Sequence, residues 1–439
     1  MSAAKPRLLY ANRCQGEIRD DSVDQLLPPD HPVRDVWAFV ESQDLSVLLT
    51  QIRSVPGNAG APAIDPRILM ALWLQATIDG VGSSRSLAKL CREHLVYQWL
   101  CGGVEVGYHT LSDFRTGHGE VLNQLLTDNV AVMLHEKLIE LNRVAQDGMR
   151  ARASAGASSF RRDKTIAECL VEAKQQVEAL RSQEDEDAGA GSRREQAARQ
   201  RAARERVERL QAAQEELKKL QAVNATQPKC RQKEAEEVRA STTDPECRRM
   251  KMPDGGFRPA YNVQFATTTE GGVIVGVAVT NEGTDSNQMP PMLDQIEERF
   301  GERPNEMLVD GGFATVAAID EAEGNGTTVY APVKKEKSQL EEGKDPYARK
   351  KSDTDATARW RARMGTPEAK TIYKQRASTA EWVNAQVRNR GMYGVTVRGL
   401  KKVLAVTLWQ ALAHNMGRMK KRRAALRGEG ARRLANATA

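Results

Sequence analysis

Three carboxylates stand where metal-dependent phosphoryl-transfer chemistry would need them. Asp147 closes the run Arg143-Val144-Ala145-Gln146-Asp147 and Asp310 closes Met307-Leu308-Val309-Asp310, and a glycine follows each. Both runs read as short buried strands, which predicts an acid at each strand's carboxyl end, where open α/β sheets gather their ligands. Glu381 lies in the segment 373–384, which has helical character. Such a trio can hold two divalent cations about 3.5–4 Å apart and stabilise both the attacking and the leaving oxygen of a phosphodiester. Nucleic-acid cleavage and joining is the chemistry this would serve. Asp-Gly is also a turn signal, repeated at Asp254-Gly255, so either pair read alone fits a plain turn. At about 100° per residue, Tyr373, Arg376, Glu381, Asn384 and Arg388 share a stripe roughly 140° wide. An acid between two arginines suits a helix laid against a metal site with phosphates close by.

The elements that must position these acids follow from hydropathy pattern. Residues 260–266 mix apolar and polar side chains in partial alternation and predict a half-exposed strand, whereas the apolar run 272–279 predicts a central buried one. A helix from about Gln288 to Phe300 leads into the Asp310 strand, and 327–333 supplies another strand. Thr366 and Pro367 mark the N-cap and first residue of the helix that carries Glu381. The intervening connection holds Lys334, Lys335, Lys337, Arg349, Lys350 and Lys351, placed either to contact phosphates without reading sequence or as a solvated loop.

Up to about residue 140 the pattern is helical. Asp65 is an N-cap and Pro66 an N1 residue for the periodic run 68–74, and a break at Gly80-Val81-Gly82 precedes a second helix from Ser83. Helix, glycine-bearing turn, helix is the outline of a helix-turn-helix, in which Arg85 and Lys89 would face DNA. Ordinary helix packing, with Trp73 and Trp99 as core and a dimer surface alongside, is the competing reading. His109 reads as a structural residue at a helix start. Between residues 163 and 245 the composition turns to charged residues, alanine and glutamine. Leu170, Val177 and Leu180 stripe one helix and Val207, Leu210, Leu217 and Leu220 a second, with the acidic, glycine-containing 184–191 between them. This predicts an inserted antiparallel helical hairpin that serves as a bridge to a partner or DNA, or as a spacer.

The chain has 439 residues, enough for two or three domains. It shows no run resembling a membrane span and no secretory pattern at Met1–Arg7, so a cytoplasmic protein is expected. Cys14, Cys91, Cys101, Cys169, Cys230 and Cys247 lack the close pairing of zinc sites and predict free thiols. From Arg418 onward, eight cations (Arg418, Lys420, Lys421, Arg422, Arg423, Arg427, Arg432, Arg433) oppose only Glu429, a surplus equal to the whole net charge of +7. Such a tail predicts a flexible phosphate-binding arm, or a merely solubilising end. No P-loop is present, so no nucleotide cofactor is implied.

Taken together, these features resemble the DDE transposases of bacterial insertion sequences. The likeness rests on the strand around Asp147, on Asp310-Gly311-Gly312, and on Tyr373, Arg376, Glu381 and Arg388, which are similar to the family's Tyr-Arg-Glu-Lys signature. Asp65-Pro66-Arg67, Tyr108–Arg115, Arg398–Val403 and His414-Asn415 add to it, so the resemblance runs from about residue 10 to about 425. Two positions depart from the pattern: Arg388 stands where lysine is usual, and Arg376 is one residue further from the glutamate than in the commonest spacing. The resemblance implies an α/β fold: an RNase H-like core (141–162 and 246–417) with an all-helical amino-terminal domain (1–140), the inserted hairpin (163–245) and a basic tail (418–439). It further implies a site of Asp147, Asp310 and Glu381 holding two Mg²⁺ ions, with Mn²⁺ as substitute. Cleavage at terminal inverted repeats and attack of the freed 3′-hydroxyl on target DNA would follow, with no covalent protein intermediate. Arg376 and Arg388 would neutralise backbone charge, and assembly would be at least dimeric on DNA. A nuclease that cuts without joining, and a catalytically dead DNA-binding descendant, are the alternatives.

Overall fold

The computed structural model describes residues 22–55, 61–182, 190–230 and 232–437, the side chains of 190–194 and 429–437 excepted. The expectations for Met1–Arg7, Cys14, the linker at 184–191 and the side chains of Glu429, Arg432 and Arg433 lie wholly or largely outside these residues. Among the described residues seven helices come first: α1 (Pro32–Glu41), α2 (Ser46–Thr50), α3 (Pro66–Ile78), α4 (Ser84–Glu93), α5 (Leu95–Cys101), α6 (Tyr108–Gly117) and α7 (Gly119–His135). The cap signals act as read: Asp65 accepts from the Arg67 N–H with Pro66 at the first position of α3. Trp73 is fully buried and donates through Nε1 to the Leu111 carbonyl. Trp99 is only half-buried and bonds Asp24.

The chain then enters β1 (Arg143–Arg152), β2 (Phe160–Arg161), α8 (Asp163–Ser182), α9 (Ala190–Ala225), β3 (Ala240–Ser241), β4 (Arg248–Lys251), β5 (Phe257–Thr268) and β6 (Ile274–Thr280). It continues through α10 (Met289–Phe300), β7 (Glu306–Leu308), α11 (Val316–Gly324), β8 (Thr328–Tyr330), α12 (Glu336–Glu341) and α13 (Asp355–Met364). It ends with α14 (Pro367–Arg376), a π-turn (Ala377–Glu381), α15 (Trp382–Asn389) and α16 (Leu400–Ala437). The main sheet has the order β4-β5-β1-β7-β8, with β6 paired to β5. β1 runs antiparallel to β5 but parallel to β7. The result is a mixed α/β architecture in which the sheet changes sense at β1. α8 and α9 lie side by side; Arg206 reaches Gln176 while Ala213 and Leu217 cluster with Ile166, so the two run in opposite directions.

Four expectations are corrected. The apolar run 272–279 forms β6, which is largely buried but pairs with β5 alone and so is not a central strand. β1 does not end at Asp147 but continues to Arg152, because β5 stays paired with it along that length. The half-exposed strand expected at 260–266 is buried on both faces of β5. One face carries Tyr261, Val263 and Phe265 into a core shared with the amino-terminal helices. On the other, Asn262 and Gln264 each donate to Asp285 Oδ1 at 2.7 Å, and Gln146 donates to Gln264. The alternation was real, but its polar half meets a hydrogen-bonding network rather than water. Finally, the basic tail is not a free arm: α16 runs unbroken to Ala437, and Lys420, Arg422 and Arg423 pair with Asp35, Glu270 and Glu136.

α16 packs on α3, α6 and α7 and along β6, tying helices to sheet. His414 and Asn415 clamp the β5–β6 hairpin: His414 Nε2 meets the Gly272 carbonyl at 2.8 Å, and Asn415 bonds both the N–H and the carbonyl of Ile274. Burial depresses the His414 pKa to about 4, so the folded chain keeps this imidazole neutral. Below an unfolded-state value near 6.5 the unfolded chain alone takes up the proton, so stability falls as pH drops towards about 4, by roughly 3 kcal/mol at most. Denaturant unfolding from neutral pH to about 4 should show the gap between wild type and His414→Gln narrowing by that order. A gap independent of pH would place the titration elsewhere.

Candidate active site

β1 and β7 pair in parallel only as far as Ala145 and Leu308. Carrying that register two residues forward sets Asp310 opposite Asp147, both on the face towards α14 and α15, at the carboxyl end of the parallel pair. Asp310 begins a turn: its carbonyl accepts from the Phe313 N–H and its Oδ1 from the Gly312 N–H at 2.6 Å. The turn reading of Asp-Gly therefore holds at Asp310 and Asp254, whereas Asp147-Gly148 lies inside a strand. A side chain at Gly148 would collide with Gln264 and Asp285, which explains glycine there without any turn.

Glu381 reaches this end of the sheet on the helical segment capped, as read, by Thr366 with Pro367 at its first position. The π-turn presses on β1 and β5. It absorbs the extra residue between Arg376 and Glu381, since a π-turn adds one residue to a helix while leaving its two ends aligned. The carbonyl of Gln375, at the start of the widened turn, accepts from the hydroxyls of Ser378 and Thr379.

Arg376 is nearly buried and bridges the two flanking acids, donating through Nη2 to Asp147 Oδ1 and through Nη1 to Glu381 Oε1, each at 2.8 Å. Asn384 donates to the other Asp147 oxygen at 2.9 Å. Desolvation pushes the Asp147 carboxyl above its ordinary pKa; Arg376 opposes the rise and nearby Asp310 adds to it. Burial works against the Arg376 charge, yet Asp147, Tyr373, Asp310 and Glu381 together hold its pKa above the ordinary value. Tyr373, Arg376, Asp147, Asp310 and Glu381 are thus one electrostatic unit. Among the described residues no three carboxylate, histidine or cysteine side chains stand ready to hold an ion, and the Arg376 guanidinium bridges Asp147 and Glu381.

The remaining sequence-derived candidates are scattered. Arg388 is exposed and makes no ion pair among the described residues. Lys334 and Lys335 are exposed just after β8, and Lys421 is exposed on α16. Arg85 and Lys89 are exposed on α4, Arg85 over the Tyr108 ring and Lys89 paired with Glu93. Asn384 lay on the predicted stripe without a role, and its spacing of three from Glu381 was the available signal. Asp285 gave no signal, since its partners come from three other strand positions.

A parallel strand pair with adjacent acids, faced by a helix bearing a third, defines a mixed α/β protein with an acidic site at the sheet's change of sense. The Transposase domain family (DUF772) matches residues 21–117 and the Transposase DDE domain family matches residues 226–416. Together the matches take in about two thirds of the chain, which belongs to the DDE transposases of insertion-sequence type. Asp310 and Glu381 fall within the second match, whereas Asp147 lies ahead of it. No curated protein and no solved structure matches the chain. No helix among the described residues is long and apolar enough to cross a membrane.

Proposed function

We propose that this chain is a DNA transposase that cuts at the ends of its element and joins them to target DNA, using Asp147, Asp310 and Glu381 on an RNase H-like core. The observation that carries the reading is the register of the parallel pair, which supports a place for Asp310 beside Asp147 when carried two residues past its last paired positions, with Arg376 joining Glu381 to Asp147. The three carboxylates offer the hard oxygen donors that Mg²⁺ or Mn²⁺ takes. Asn384 Oδ1, buried without a partner among the described residues, is a further oxygen on the side chain that bonds Asp147. When bound, two such ions would supply Lewis-acid stabilisation of the phosphodiester's attacking and leaving oxygens.

The chain's own residues do the rest. Asn384 fixes the rotamer of Asp147. Arg376 offsets the carboxylates' mutual repulsion and, on releasing one of its two acids, presents a buried cation to a phosphate. Lys334, Lys335 and Arg388 line exposed surface for backbone contacts, and the weak exposed pairs of Lys420, Arg422 and Arg423 can exchange for phosphates. The helices up to residue 140 would serve binding and dimerisation, and the α8–α9 insertion would bridge subunits or DNA. The test is a strand-transfer assay with duplexes carrying the DNA that flanks the reading frame. Metal-dependent 3′-end cleavage followed by joined product is expected; nicking with no joining would reduce the protein to a nuclease, and neither activity would overturn the reading.

A further inference from the structure

The seam between the amino-terminal helices and the segment after α15 holds two arginines that no carboxylate among the described residues neutralises. Arg115 donates through Nη1 to the Gly82 carbonyl at 2.5 Å and to Thr396 Oγ1 at 3.2 Å, and its guanidinium lies 4.7 Å over the Trp73 ring. Arg115 is half-buried, and Nη1 is its one nitrogen that hydrogen-bonds to the described residues. Burial alone lowers its pKa to about 10, with no acid contributing. Arg390 is likewise lowered by burial alone, and its Nη1 is buried without a partner among the described residues. Both side chains are half-buried, and a partly desolvated cation with no anion beside it favours an incoming negative charge.

Cavities of about 310 and 390 Å³ open on either side of Arg115 and share Gly82, Ser83 and Thr396 in their walls. The first also takes in the amino terminus of α4. There Ser83 Oγ caps the Ser86 N–H at 3.3 Å, which leaves the N–H groups of Ser84 and Arg85 without intrahelical partners. Arg85 lies 5.3 Å over Tyr108, whose ring is 4.0 Å from that of His109. Arg85, Tyr108 and His109 are exposed, so a group seated against Arg115 can remain part of a longer chain outside.

We infer that this cavity binds a phosphate group of a DNA backbone, with Arg115 at its floor, Arg85 at its rim and the open N–H groups of α4 completing the cradle. The inference rests on the reading of the chain as a DNA transposase, but it concerns binding rather than chemistry. It is therefore tested in an Asp147→Asn background, where cleavage plays no part. Binding of a mixed-sequence duplex would be followed as log affinity against log salt for the parent, Arg85→Ala, Arg115→Gln, the pair together and Arg115→Lys. Loss of one phosphate contact should flatten the slope by about one in the double variant and weaken binding about tenfold at moderate salt, with Arg115→Lys close to the parent. Arg85→Ala, at an exposed position, should show part of the effect without any change in melting temperature, which guards against misfolding of the Arg115 variants. Inorganic phosphate, compared with chloride at matched ionic strength, should raise the melting temperature of the parent and not of the double variant. An unchanged salt slope in folded variants would overturn the inference, and phosphate stabilisation without a slope change would overturn the assignment to DNA. Either result leaves the cleavage assay, and with it the transposase reading, to stand or fall separately.

Discussion

Asp147→Asn and Asp310→Asn should each lower metal-dependent DNA cleavage about a thousandfold or more, because removing several kcal/mol of charge stabilisation at about 1.36 kcal/mol per tenfold gives that order. Glu381→Gln should do the same. DNA affinity should stay within about twofold for all three, since the phosphate contacts come from basic groups elsewhere. Stability should separate them. Asp147 is half-buried and takes both Arg376 and Asn384, so its neutral isostere leaves the largely buried guanidinium facing one fewer anion. Glu381 is about half exposed and its loss is softened by solvent. Melting temperatures should therefore fall most for Asp147→Asn and least for Glu381→Gln, while cleavage fails equally. A variant that cleaves at the wild-type rate removes its residue from the site.

Much of this arrangement was legible in the chain because local signals and tertiary demands agree. The caps at Asp65 and Thr366 and the helix from Met289 form where the sequence placed them, since each rests on near neighbours, and the strand expected over 327–333 forms over Thr328–Tyr330 alone. Asp310 and Glu381 stood out as candidates for the same reason. What could not be read depends on partners far along the chain. The length of β1 beyond Asp147 is set by β5, more than a hundred residues later, so the glycine that looked like a turn is in fact a gap left for Asp285. Asn262 and Gln264 looked solvated because their acceptor comes from the loop before α10. The basic tail looked free because the acids that hold it, Asp35, Glu136 and Glu270, are spread over three elements. Arg376 as a bridge between Asp147 and Glu381 was likewise beyond a periodicity argument, which gives its face but not its partner.

Inserting one alanine between Ser378 and Thr379 should abolish cleavage as completely as Glu381→Gln, whereas deleting Ala377 should leave it within about tenfold of wild type. The asymmetry follows from the π-turn at Ala377–Glu381. A π-turn accommodates one residue beyond the α-helical repeat, and here it offsets the additional residue that separates Arg376 from Glu381. Deleting Ala377, which is exposed and makes no side-chain hydrogen bond, should let the turn close to a regular helix with the glutamate four residues after Arg376 and on the same face. The partners that fix the segment on either side, Asp147 for Arg376 and Asn384 and Trp382 against His414, keep their registers. A second inserted residue has no further widening to take it up. It would turn Glu381 by about 100° away from Asp147 or drag Asn384 off it, breaking one bond or the other. Circular dichroism and melting temperature should confirm that both variants fold, and cleavage of element-end duplexes reads the difference. If the deletion proved as inactive as the insertion, the π-turn would be a required feature of the site rather than an accommodated insertion, and the extra residue would have to be sought in the contact it makes with β1 and β5.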